Sequence, residues 1–309
     1  MSENIIITEK LAKSFGNQWA LYDINLKVKK DITTGLVGPN GAGKTTLFSL
    51  LCGFLKPTKG SVKILGHNPD DAQLRSRISI LPQDASFLKT ISVSKQLAML
   101  AELQGFSKKQ AKSEAARVLK MVNLSSSANK TADQLSHGML KRIAIAQAFI
   151  GSPELILLDE PTAGLDPSTT DNIKSVIRQL STKTTIIITS HNLEVIEDLC
   201  KEIIILKEGR LHSLEKISDL TARTKALTFR LEEDPPADIK TIFSTMDIVT
   251  DVKAGKAGQH RLVVYFQSDE KEQIAEIKIL TCLANAGINY REMIRGERLQ
   301  ESVADRLEG

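Results

Sequence analysis

The chain is predicted to be an α/β protein with a smaller α+β domain behind it. Three observations predict this. Short β-type runs alternate with helical patterns up to about residue 212. A glycine-rich loop joins one of those strands to a helix. Beyond about residue 220 the order changes to β-α-β-β-α-β, the ferredoxin-like arrangement.

In the first part, NIIITE, DINLKVK, ITTGLVG, SVKIL and RISIL read as strands. They are short, rich in β-branched residues and bounded by turn residues. LILLD, TTIIITS and EIIILKEG follow, with helix-like stretches between them. That rhythm predicts a buried parallel sheet. Residues 92–123 break the alternation and read as purely helical, an inserted helical subdomain. After HSLEKISDLTARTK come ALTFRLEED, PADIKTIFSTM, IVTDVKAG, HRLVVYF, EQIAEIKILTCLANAG and INYREMI, read in order as strand, helix, strand, strand, helix and strand. Asp234-Pro235-Pro236 ends the first of these strands, and VKAGKAGQ is a polar hairpin tip. No catalytic set is evident in this region. The expected division is 1–219 for the larger domain, with its helical subdomain at about 84–150, and 220–309 for the smaller.

The composition is that of a soluble globular protein: 41% hydrophobic and 25% charged over 309 residues. The net charge of +4, from 41 basic and 37 acidic residues, comes without a dense basic run and gives no case for nucleic acid. Cys52, Cys200 and Cys282 form no C-x-x-C pair, so neither a zinc site nor a redox pair is indicated. The opening MSENIIITEK lacks a signal-peptide pattern. The most apolar runs fall far short of the ~20 residues a membrane span needs. A cytoplasmic protein is expected, reaching a membrane only through a partner.

Two segments carry chemistry. Gly38-Pro39-Asn40-Gly41-Ala42-Gly43-Lys44-Thr45 fits G-x-x-x-x-G-K-[ST], follows a strand and opens a helix. Its glycines let backbone N–H groups wrap phosphates, and the helix N-terminus adds positive partial charge. Lys44 is expected to reach the β- and γ-phosphates, and the Thr45 hydroxyl to bind Mg²⁺, with Thr46 also at the nucleotide. The second segment, LILLDE, ends a buried strand in Asp159 and Glu160. Adjacent anions there are costly unless they have work. Asp159 is expected to hold Mg²⁺, and Glu160 to orient and deprotonate the attacking water. Gln83 and His191 each lie just past a strand, and the strand before His191 is expected to run beside the one ending in Glu160. Ligands gather at the carboxyl ends of such strands. His67, His212 and His260 read as structural.

Taken in order, the phosphate loop at 38–46, Gln83, Leu135-Ser136-His137-Gly138-Met139, the acidic strand 155–160, AGLD at 163–166 and His191 resemble the ATPase subunit of an ATP-binding cassette (ABC) transporter. The resemblance covers roughly the first 220 residues. It implies a P-loop ATPase core with an N-terminal antiparallel β-subdomain. It implies that Phe15 stacks on adenine, with Trp19 as the nearby alternative. It implies that Gln83 senses Mg²⁺, that Asp166 couples two subunits, and that His191 contacts the γ-phosphate and positions the water. Two such subunits pair head to tail, so Ser136, His137 and Gly138 would face the nucleotide on the partner's phosphate loop. A pair of like chains is favoured.

Ser136 also suits that place physically. It precedes a helical run, where serine caps well and the first N–H groups favour an anion. The family usually has Leu-Ser-Gly-Gly-Gln. Here His137 and Met139 depart from it, but residue 137 keeps its N–H donor. His137 is expected at the rim of the composite site, tuning hydrolysis. Residues 84–105 resemble the groove that receives a helix of a membrane permease in bacterial exporters, with Phe87, Leu88 and Ile91 as apolar contacts and Lys95 where glutamate is usual. The ending GERLQESVADRLEG is similar to that of exporter-type cassettes with an extra C-terminal domain, so 220–309 reads as a regulatory or dimerising module. The resemblance therefore implies an ATPase at the inner face of the cell membrane, attached through its permease. Two other readings stay open: a soluble ABC ATPase acting on nucleic acid or ribosomes, and a nucleotide-gated regulator with little hydrolysis.

Overall fold

A computed structural model describes residues 4–83, 85–181, 184–222, 225–255, 258, 260–267, 272–296, 299, 303 and 307. The chain divides into two compact units, Met1–Glu215 and Lys216–Gly309.

The first unit begins with β1 (Asn4–Phe15), β2 (Gln18–Ile24) and β3 (Lys27–Lys29), then β4 (Thr33–Val37), α1 (Lys44–Leu51), β5 (Lys59–Ile64) and β6 (Ile78–Leu81). Next come α2 (Val93–Leu103), α3 (Lys108–Met121) and α4 (His137–Ala148). It continues with β7 (Leu155–Asp159), α5 (Pro167–Leu180), β8 (Thr185–Thr189), α6 (Leu193–Leu199), β9 (Glu202–Lys207) and β10 (Arg210–Lys216).

These strands form two sheets. In the antiparallel one, β1 is long enough to pair with β2, β3 and β5 at once. The other runs β10-β9-β4-β8-β7-β6, and its β9-β4-β8-β7-β6 stretch is parallel. Burial explains why. Every residue of β4 and β8 is buried, as are the first four of β7, and near-continuous apolar strands of this kind need cover on both faces. Leu36, Leu47, Leu50, Leu155, Leu157, Ile187 and Ile204 join the antiparallel sheet's Leu11, Leu21 and Ile24 in one core.

The helical interruption is α2 and α3, held to the chain by local chemistry. Ser107 and Gln110 form a capping box at the start of α3. The Arg117 guanidinium grips the Glu114 carboxylate and donates to the Phe149 carbonyl at 2.7 Å, and Glu114 accepts from the Gly151 N–H at 2.8 Å. These contacts, Arg117 first, hold the Glu114 carboxyl below its usual range.

Two strands were not expected from sequence. β2 lies in QWALYDI, where the burial pattern is only weakly alternating. β10 is an edge strand of mostly half-exposed residues and gives no apolar run to read. It returns from β9 through the two-residue turn Glu208-Gly209, both at positive φ, so β9 and β10 are antiparallel.

The second unit carries α7 (Ile217–Ala222), β11 (Ala226–Leu231), α8 (Ile239–Phe243), β12 (Val249–Ala254), β13 (Arg261–Phe266), α9 (Glu272–Asn285) and β14 (Tyr290–Arg295). From β11 onward the order is β-α-β-β-α-β, and the sheet is antiparallel in the order β12-β13-β11-β14. That is the ferredoxin-like arrangement. Alternate residues Leu227, Phe229 and Leu231 pack with Leu262 and Val264 of β13 and with Ile239, Phe243, Ile279 and Leu283 of the two helices. The division between units falls at Glu215/Lys216, because the stretch after it folds as α7. Most of the ending GERLQESVADRLEG, and parts of VKAGKAGQ, lie outside the described residues.

Candidate functional site

The carboxyl ends of β4, β7 and β8 lie side by side in the parallel sheet. The chemistry-bearing residues gather there, as strand-end geometry requires.

The loop Gly38–Gly43 leaves β4 and opens α1. A Cβ on Gly38 would stand 2.3 Å from the Leu206 carbonyl, so only glycine permits this path. Gly43 is the N-cap of α1 in the left-handed region, with φ 97°. The loop is also pinned from outside: Gly209 N–H donates to the Ala42 carbonyl at 3.2 Å, and the Gly209 carbonyl accepts from Tyr22 N–H at 2.7 Å. The first turn of a helix leaves N–H donors without intrahelical partners, and here that turn begins with Lys44, Thr45 and Thr46. The Lys44 ammonium donates to the Gly38 and Pro39 carbonyls at 2.7 and 3.0 Å. Burial lowers its pKa, and the nearby Glu160 carboxylate acts in the opposite sense. The phosphate loop and the acidic strand therefore share one electrostatic environment.

Asp159 and Glu160 close β7. Glu160 sits at φ 47°, an unusual conformation for glutamate. Its Oε1 accepts from the His191 N–H at 2.9 Å and lies 3.0 Å from His191 Nδ1. Its Oε2 accepts from the Ser190 hydroxyl at 3.4 Å. Asp159 Oδ1 accepts from the Thr189 hydroxyl. The end of β8 thus holds both acids of β7. Burial pushes the Cys52 thiol up to about 12, with the Asp159 charge adding to the shift. Cys52 is a buried small hydrophobe, as is Cys200.

Gln83 is exposed, two residues past β6, and its carbonyl accepts from Lys141 of α4 at 2.9 Å. Its neighbour Asp84 lies outside the described residues. Ser136 is the N-cap of α4 and accepts from Met139 N–H at 3.3 Å. His137 is exposed at the first position of that helix. Asp166 caps α5 through Thr169 N–H at 3.0 Å, and bonds to Thr169 hold its carboxyl below the usual range. The two helix starts touch: a Cβ on Gly138 would meet Thr169 Cγ2 at 2.7 Å. The structure thereby brings Ser136, Gly138 and Asp166 together in one chain.

Phe15 is 52% exposed at the tip of the β1–β2 hairpin, with the Lys13 ammonium 5.2 Å from its ring centre. Trp19 packs at 5.9 Å from Tyr22 and lies under Lys59, lining an open groove of about 840 Å³. Phe15 is the freer ring for a base.

In residues 84–105, Leu88 is exposed while Phe87 and Ile91 are half-buried. The buried Gln96 side chain shapes this loop through Leu88 N–H, Leu88 O and Ile91 O at 2.7–3.0 Å. Met99 and Leu103 add exposed apolar surface one turn apart on α2.

Among the described residues no group of three or more His, Cys, Asp or Glu could cage a metal. The exposed Thr45 hydroxyl, the half-buried Asp159 carboxylate and the Gln83 amide still suit Mg²⁺. This ion takes hard oxygen donors, keeps several waters, and is commonly held by one or two carboxylates plus phosphate.

Thr189 and Ser190 were not singled out in the sequence. The one signal available was their position, immediately before His191 at the end of a buried strand.

A family model described as "ABC transporter" matches residues 21–163. The linearmycin resistance ATP-binding protein LnrL of Bacillus subtilis is 34% identical over 218 residues, 70% of this chain and 70% of the relative. The bacitracin transport ATP-binding protein BcrA of Bacillus licheniformis is 35% identical over 238 residues, 75% of this chain and 77% of the relative. Among solved structures, CbiO1 from Clostridium perfringens, part of the ABC transporter complex CbiONQ, aligns with a TM-score of 0.65 at 28% identity over 71% of this chain and 90% of that one. An ATP-binding cassette solved as a dimer in a post-hydrolysis state, with ADP and Pi, aligns with a TM-score of 0.60 at 27% identity over 68% and 98%.

Proposed function

This chain belongs to the ABC transporter ATP-binding proteins, and we propose that two copies close head to tail around ATP to drive a separate membrane permease in export. ATP binding and hydrolysis are the family's chemistry, and the chain is an ATPase subunit of a transporter. The names of LnrL, a linearmycin resistance protein, and BcrA, a bacitracin transport protein, support the export direction.

The observation that carries the reading is the placement of Glu160. Its carboxylate is held by His191 and Ser190, and its charge is felt at Lys44 on the phosphate loop. In the proposed reaction Lys44 leaves the loop carbonyls for the β- and γ-phosphates, and the amides of 41–46 cradle the rest. Phe15 stacks on adenine. Glu160 takes a proton from the attacking water, while His191 orients the Glu160 carboxylate and approaches the γ-phosphate. Thr45, Asp159 and Gln83 would hold Mg²⁺, whose chemistry is to neutralise charge on the phosphate oxygens. Catalysis is then positioning and charge stabilisation of an in-line displacement.

Ser136, His137 and Gly138 face the partner copy's γ-phosphate from the start of α4, with Asp166 beside them on α5. The exposed Leu88, Met99 and Leu103 near 84–105 form the permease contact, which places the protein at the inner face of the membrane. No described helix is long and apolar enough to cross a membrane, so the translocation path is assigned to the permease. The unit Lys216–Gly309 is an accessory module, regulatory or dimerising.

The test is the mass of the Glu160→Gln chain by light scattering. A doubled mass is expected with Mg²⁺-ATP and a single mass with Mg²⁺-ADP. A single mass with Mg²⁺-ATP, unchanged when the permease is supplied, overturns the head-to-tail dimer.

A further inference from the structure

The end of β8 holds an arrangement that the roles given to Glu160 and His191 leave unexplained. Asp159 and Thr189 are direct partners in the parallel register of β7 and β8. Thr189 is buried, at 3% exposure, and its side chain spans the gap between the strands. A hydroxyl has one donor and two acceptor positions. The Thr189 hydroxyl donates to Asp159 Oδ1 and accepts from Glu160 N–H at 3.1 Å. The Thr189 carbonyl also accepts from Glu160 N–H, at 3.1 Å. One residue thus fixes the carboxylate of the first acid and the backbone of the second.

We propose that Thr189 is a positioning residue that locks Asp159 and Glu160 to the neighbouring strand and so sets how strongly Mg²⁺ adds to ATP binding. The inference rests on the reading of Asp159 as the Mg²⁺ carboxylate.

Three physical points support it. Threonine is β-branched and stiff about χ1, so its hydroxyl stays on Asp159 rather than sampling other rotamers. With Oδ1 engaged, the second oxygen of Asp159 carries no protein hydrogen bond among the described residues and remains for a metal-bound water. Glu160 adopts its positive φ where its N–H is held by Thr189, and that turn aims its carboxylate at Ser190 and His191. A side chain that only filled space would need no hydroxyl. Valine would fill this buried strand position equally well.

The test compares Thr189→Val with Thr189→Ser in the full chain. ATP affinity is measured by calorimetry, with Mg²⁺ and with EDTA, alongside melting temperature. In Thr189→Val the gain in ATP affinity on adding Mg²⁺ is expected to fall about 10-fold, the lower end for losing a partner that orients a metal ligand. Affinity in EDTA should stay within about twofold of the parent protein, because the phosphate loop is untouched. Thr189→Ser, which keeps the hydroxyl, should restore the Mg²⁺ gain. A parent-like Mg²⁺ gain in Thr189→Val, or a serine variant as impaired as the valine one, overturns the proposal. If the valine variant does not fold, Thr189→Ala replaces it with the same expected loss, and a parent-like gain there is equally fatal. Failure of the underlying reading looks different: the parent protein itself would then gain no ATP affinity from Mg²⁺.

Discussion

The two units of this chain solve the same burial problem with sheets of opposite character. In Lys216–Gly309, Leu227, Phe229 and Leu231 of β11 pack against two helices, Ala226, Val263 and Tyr265 form a small cluster on the sheet's other face, and the ladder runs antiparallel throughout. Its polar side-chain pairs include Arg295–Glu276 and His260–Asp234. In Met1–Glu215 the parallel strands are buried on both faces and their carboxyl ends point the same way. Each end delivers its next residue to a shared place: Gly38 after β4, Glu160 after β7, His191 beyond β8. Parallel pairing therefore concentrates reactive groups, whereas an antiparallel meander spreads them between two ends. Gly38, Gly41 and Gly43 of the phosphate loop and Glu160 hold positive φ at this gathering point.

The sharpest way to break this comparison is Glu160→Gln. Glutamine keeps a carbonyl to accept from His191 N–H but cannot act as a base. Turnover should fall about 10²–10⁴-fold with ATP binding retained, by steady-state phosphate release. Near-normal hydrolysis would remove Glu160 from the role. The mirror experiment is Phe229→Ala, which empties a fully buried position in the second unit. It should cost that unit about 3–5 kcal/mol in denaturant unfolding. Nucleotide affinity should remain within about twofold, since that core contains none of the site residues. A matching loss of ATP affinity would tie the units more closely than the comparison allows.

A smaller effect sharpens the picture inside the first unit. The Glu114 side chain is 13% exposed, and its pKa is lowered first by the Arg117 hydrogen bond. A carboxyl lowered in the folded state contributes stability that is full above its unfolded pKa of 4.5 and is lost as pH falls through the folded value. Glu114→Gln should therefore destabilise by about 1.5–3 kcal/mol at pH 7. The difference from the parent protein should shrink as pH drops below 4.5, in thermal melts across that range. An equal loss at all pH values would assign the effect to packing.

Much of this was legible in the sequence, for uneven reasons. The phosphate loop announces itself because glycine spacing and Lys-Thr at a helix start have a physical cause. The βαββαβ order was readable because short strand-like runs such as ALTFRLEED and HRLVVYF are rich in β-branched and aromatic residues and are set apart by helical stretches. β10 was not, because an edge strand of half-exposed residues carries little hydrophobic signal. Ser136 could be read as a cap, and it is one; Asp166, named only for coupling subunits, also caps a helix. Thr189 could not be read. It lies 30 residues from Asp159, and a lone threonine ending an apolar run is common. Its contacts exist only because β7 and β8 pair at that register, which is a tertiary fact. The contact of Gly138 with Thr169 is hidden for the same reason.

The twist at Glu160 also has an energetic side. A left-handed backbone suits glycine or asparagine, and holding another L-residue there costs about 1–2 kcal/mol. Glycine at this place would relieve that cost but would give up the carboxylate that accepts from Ser190 and His191. Rigidity at the end of β7 and a comfortable backbone are therefore alternatives at this one residue.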